Sequence, residues 1–128
     1  LYSDHGLIEM SAGAAHEKLE SVLTAGLEEF MRFTKELVDR EALDRAKRHL
    51  GGTFSLSLET SDALGYYYGG QEIMRLPLLT PAEYLAKINA VVAEDIRSVA
   101  RDLFTNDRLN LALIGPFQNR SFLDRVKV

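Results

Sequence analysis

The sequence predicts an α+β fold dominated by helices, on three observations. Apolar residues recur at helical spacing through five segments between residues 15 and 104. Two short runs, one towards each end, carry the alternating or near-continuous apolar pattern of strands. Two strands do not make a sheet of independent stability, and their backbone N–H and C=O groups need partners. The remainder of the sheet is therefore expected from residues outside this chain or from a partner. The expected order is strand, five helices, strand.

The first strand is expected over residues 6–14. Ile8, Met10 and Ala12 would face one side and Leu7, Glu9 and Ser11 the other, with Gly13 and the Ala14-Ala15 pair ending it. From 15 to 38, Leu19, Val22, Leu23, Leu27, Phe30, Phe33 or Thr34, and Leu37 keep the spacing of one helix face. Glu28–Arg32 and Glu36–Arg40 place acid four residues ahead of base, the favourable order. Gly26 is unfavourable by about 1 kcal/mol relative to Ala in a helix interior and is expected to mark close packing.

A second helix begins at Asp39, whose short acceptor side chain suits the free N–H groups of a first turn. Leu43, Ala46, Leu50, Phe54 and Leu58 form its apolar stripe, and Glu41–Arg45 and Asp44–Arg48 support its outer side. Gly51 and Gly52 interrupt an otherwise strong pattern. Either the helix runs through them because another backbone comes close, or they end it and start a loop.

The third helix is expected over residues 61–74, capped by Thr60 or Ser61, with Leu64, Tyr67 or Tyr68, and Ile73 or Met74 as a weaker stripe. Residues 76–79 form an extended connector. Thr80-Pro81-Ala82-Glu83 then combines a capping hydroxyl, a proline whose missing N–H costs nothing, and a glutamate placed to reach back to the cap. That helix carries Tyr84, Leu85, Ile88 and Val91. A fifth, over 93–104, aligns Ile96, Val99, Ala100, Leu103 and Phe104; Thr105-Asn106-Asp107 turns the chain. Residues 109–114 read as the second strand, with both faces covered. Gly115-Pro116 ends it, and residues 121–126 add a short helix.

The 128 residues amount to one domain, and 46% hydrophobic with 27% charged residues is the composition of a soluble globular protein. No apolar run approaches the ~18 residues that suggest a membrane span. No signal sequence is visible, and compartment is not readable. A net charge of −4 with bases interleaved among acids argues against nucleic-acid binding, even at the dense Arg45-Ala46-Lys47-Arg48 cluster. Zero cysteines exclude disulfides, thiolate ligands and a cysteine nucleophile. Because the chain opens on Leu1-Tyr2-Ser3-Asp4 without a methionine, it is expected to be a piece of something longer.

Several segments resemble one peptidase family in the same order. Ala42-Leu43-Asp44-Arg45-Ala46-Lys47 through Leu56-Ser57-Leu58-Glu59-Thr60 is similar to the "E-L-x-x-A-K … L-x-L-E-S" helix of the insulinase, pitrilysin and mitochondrial-processing-peptidase group of zinc peptidases. Tyr2-Ser3-Asp4-His5-Gly6-Leu7-Ile8 resembles its "Y-x-D-x-G-L-F" strand. The stretch from Thr80 through Glu94-Asp95-Ile96 to Leu103-Phe104 resembles its "T-x-x-E-L … I-x-x-V-T-x-E-D-V-x-x-V-A". Leu111-Ala112-Leu113-Ile114-Gly115-Pro116 looks like its closing "L-x-V-V-G-P" strand. Ala42 departs from the family's Glu and Val92 from its helix-capping Thr.

The resemblance implies a mixed-sheet two-layer domain, of which this chain is the helix-rich, C-terminal part of the second, non-metal half. It also implies a parent zinc metallopeptidase whose halves close around a peptide. This piece would form a wall of the peptide chamber. Its partners would be the remainder of the domain, the metal-bearing half-domain and peptide substrate. The inverted zinc motif H-x-x-E-H is absent from the sequence. The family's substrate-positioning Arg and Tyr precede the strand that here begins near Tyr2. No catalytic, cofactor-binding or metal-ligating role is therefore carried onto any numbered position. Zinc is expected in the parent and not in this segment. Two alternatives remain: a scaffold or assembly subunit of the same family with no zinc site, and a free-standing helical protein-interaction module.

Read without the resemblance, the residues offer little chemistry. His16-Glu17-Lys18-Leu19-Glu20 sets His16 and Glu20 one turn apart as in a zinc helix, but a third ligand at suitable spacing is missing, and acids in a first turn follow from the helix dipole. Tyr66-Tyr67-Tyr68-Gly69-Gly70-Gln71 reads as two tyrosines partly in core and one on a rim, or as a peptide-contacting surface. No Lys-Ser/Thr follows its glycines, which excludes a P-loop. Ser55, Ser57 and Ser61 lie near Glu59 and Asp62 without a histidine placed to activate them. Asp4-His5 reads as exposed turn chemistry.

Overall fold

A computed structural model describes residues 5–116 and 126–127. Its regular elements are a 3-10 turn at His16–Lys18 and the α-helices α1 (Leu19–Lys35), α2 (Arg40–Ser57), α3 (Ser61–Ile73), α4 (Pro81–Ala90) and α5 (Ala93–Leu103). All five expected helices are present. The α+β, mixed-sheet expectation is overturned: among the described residues every regular element is helical, and neither 6–14 nor 109–114 forms a strand. The physical reason is that apolar alternation reports which side chains prefer burial, whereas a strand exists only through a backbone ladder with a neighbour. These two runs form no such ladder. Tyr2 to Asp4 and residues 121–125 of the expected short helix lie outside the described residues.

The helices group into two units, one built on Asp39–Ala93 and the other on Leu7–Val38 with the chain from Glu94 onwards. In the first unit α2 starts where Asp39 Oδ2 accepts a hydrogen bond from Ala42 N at 3.1 Å. Its outer side carries the expected Glu41–Arg45 pair at 3.9 Å. The helix continues through Gly51 and Gly52. The expected close backbone is not there. A Cβ at Gly51 would meet only Leu85 Cδ2, at an ordinary 3.6 Å, and at Gly52 it would meet nothing within 4 Å.

Helix α3 is capped by Thr60, whose hydroxyl accepts from Ala63 N at 3.1 Å. It closes with Leu76 N donating to Gln71 O at 2.9 Å and Arg75 N to Glu72 O at 3.0 Å. This paired closure needs a left-handed residue, ordinarily glycine, yet Arg75 occupies it at φ 54°. The Gln71 amide then fastens the connector: Leu79 N donates to Oε1 at 2.8 Å, and Nε2 donates to Leu79 O at 3.3 Å. Beyond it, α4 is tied to α2 by Lys47 Nζ, which donates to Asn89 O at 2.8 Å in the last turn of α4. A cation at the negative end of the helix dipole is favourable there.

The second unit repeats that device. Arg101 Nε of α5 donates to Thr34 O, at the end of α1, at 2.8 Å. The Phe30 and Phe104 rings stack beside it with centroids 4.6 Å apart. Gly26 is buried, and a Cβ there would collide with Met10 Cε, so the methionine methyl occupies the notch that the glycine leaves in α1. The expected close packing at Gly26 is thus a side chain from residues 6–14 seated on the helix. Ala100, 4% exposed, is the single buried hydrophobic residue among those described.

Gly26 and Gly52 are interior helix glycines in opposite circumstances, and this predicts opposite responses. Gly52→Ala should slow amide hydrogen exchange in α2 by roughly fivefold, the equivalent of about 1 kcal/mol of helix propensity. In Gly26→Ala the same propensity gain is opposed by displacement of Met10, so exchange in α1 should not slow. In a Met10→Ala background Gly26→Ala should recover the gain. Equal slowing by Gly26→Ala with Met10 intact would show that the notch is immaterial.

Candidate functional site

The main cluster of ring side chains in the first unit grows from three helices. Phe54 of α2, Tyr67 of α3 and Tyr84 of α4 meet because each lies on the inward stripe of its helix. The Phe54 centroid is 4.5 Å from Tyr84 and 5.5 Å from Tyr67, the latter edge-on. Tyr68 lies edge-on to Tyr67 at 5.1 Å. The Tyr67 hydroxyl oxygen is enclosed, and desolvation chiefly, then the neighbouring Tyr68, pushes its pKa above the ordinary 10.0. Tyr67 is therefore a neutral packing residue at physiological pH. Tyr66, by contrast, is 84% exposed. The Tyr66-Tyr67-Tyr68 run thus divides between a cluster and the surface, and its glycines Gly69 and Gly70 continue α3.

His16 lies in the 3-10 turn and Glu20 in the first turn of α1, and both are exposed. Among the described residues no three His, Cys, Asp or Glu side chains come together in a way that could hold a metal ion. Ser57 directs its hydroxyl to Phe54 O at 2.7 Å, a local bond within α2. His5 is exposed outside any helix. In the basic cluster Arg45 pairs with Glu41, and Lys47 is committed to the end of α4.

The most polar construction is the start of α4. Thr80 N and the Thr80 hydroxyl both donate to Glu83 Oε2 at 2.7 Å, while Glu83 N donates back to the Thr80 hydroxyl at 3.3 Å. These bonds, the hydroxyl's first and the backbone's second, hold the Glu83 carboxyl below its ordinary 4.5. A lowered carboxylate pKa means stability that is present above the ordinary value and lost as pH falls through the lowered one. Acid titration followed by Cα chemical shifts of α4 should therefore show its first turn loosening below pH 4.5. Glu83→Gln should remove that step, and a step that persists in Glu83→Gln would refute the assignment. The Thr80–Glu83 geometry is that of a helix capping box.

Sequence reasoning missed the Gln71 clamp and the two cation-to-carbonyl ties made by Lys47 and Arg101. Each joins a side chain to a backbone atom of another segment, and no local spacing announces it.

The comparisons with known proteins point elsewhere than to a site. A zinc protease of Bacillus subtilis, YmxG, is 28% identical over 118 residues, covering 92% of this chain and 29% of its own. A zinc protease of Streptomyces coelicolor is 29% identical over 119 residues, covering 93% of this chain and 26% of its own. The mitochondrial-processing peptidase subunit beta of Caenorhabditis elegans is 26% identical over 117 residues, covering 91% of this chain and 25% of its own. These similarities support the resemblance to insulinase-like zinc peptidases. The chain spans less than a third of the length of these relatives. No protein-family model and no solved structure matches it. Among the described residues, no helix is long and apolar enough to cross a membrane.

Proposed function

We propose that this chain is a non-catalytic, C-terminal portion of an insulinase-like zinc metallopeptidase, forming a wall of the peptide chamber opposite the metal-bearing half. The observation that carries the reading is the shape of the match: more than nine-tenths of this chain aligns with zinc proteases, but with under a third of each. In the parent, zinc would activate a water for attack on the peptide bond. The residues of this segment would bind and enclose rather than react. The metal-bearing half-domain and a peptide are then its partners.

The reading is tested by incubating the chain with zinc and a fluorogenic peptide. No metal-dependent turnover is expected, and turnover that zinc restores after chelation would overturn it. A second reading, a scaffold subunit of the same family, is supported by the relative named as one subunit of a processing peptidase. Reading the parent gene separates the two. A parent that encodes H-x-x-E-H supports the first, and one without it supports the second. The third possibility, a free-standing helical module, is disfavoured by the burial pattern: among the described residues no side chain is fully buried.

A further inference from the structure

We draw no further inference here: the strongest candidate, the exposed apolar surface of α3 and the connector after it (Tyr66, Ile73, Leu76 and Leu78), carries nothing because nothing in the structure shows what covers it.

Discussion

Urea titration of the isolated chain is expected to give a broad, shallow transition, with a slope below ~1 kcal/mol/M rather than the roughly 1–3 typical of small two-state proteins. The slope scales with the surface that unfolding newly exposes, and here little is hidden at the outset. Ala100 is the one buried hydrophobic among the described residues, while Leu50, Leu56, Leu76, Leu78 and Ile73 are all exposed. Helices of this length draw most of their stability from packing an apolar face, so with little surface packed the melting should not be all-or-none. The chain has no tryptophan, so far-ultraviolet circular dichroism and tyrosine fluorescence are the two probes to compare. Non-coincident curves are expected. A single steep transition seen identically by both would establish a self-sufficient fold and favour the free-standing module over the peptidase segment.

Phe54→Ala is expected to have the largest effect of any single substitution in the first unit. The ring lies against both Tyr67 and Tyr84, so its removal deprives α2, α3 and α4 of a shared contact at once. Full burial would make such a truncation worth ~3–5 kcal/mol. Phe54 is only half-buried, and about 2 kcal/mol is the reasonable scale, which corresponds to roughly thirtyfold faster amide exchange across the three helices. Leu56→Ala is the control, because that side chain is 67% exposed on the same helix. It should change exchange by less than about threefold. If the two variants behave alike, the aromatic cluster does not organise the unit.

The starts of helices were the most legible feature of the sequence. Asp39, Thr60 and Thr80 all cap as their side chains suggest, because a cap is a contact within three residues and its chemistry is written locally. Whether α2 runs through Gly51 and Gly52 is left open by the sequence; the helix does continue, though not because another backbone comes close. Gly26 and Gly52 look equivalent in sequence, and only coordinates reveal that one receives Met10 and the other faces open space. The two runs read as strands failed for a different reason. Leu7, Ile8 and Met10, or Leu111 and Ile114, record an appetite for burial but name no ladder partner. The resemblance to zinc peptidases rests on the order of several weak segments rather than on any one of them.

The ties made by Lys47 and Arg101 end on peptide carbonyls rather than on carboxylates. Neither tie includes a carboxylate, so protonating carboxylates leaves both in place. Acidification therefore unfastens α4 at one end only. Its Thr80–Glu83 start comes loose while Asn89 stays anchored, so the helix should unravel in a direction, from its amino end towards its carboxyl end.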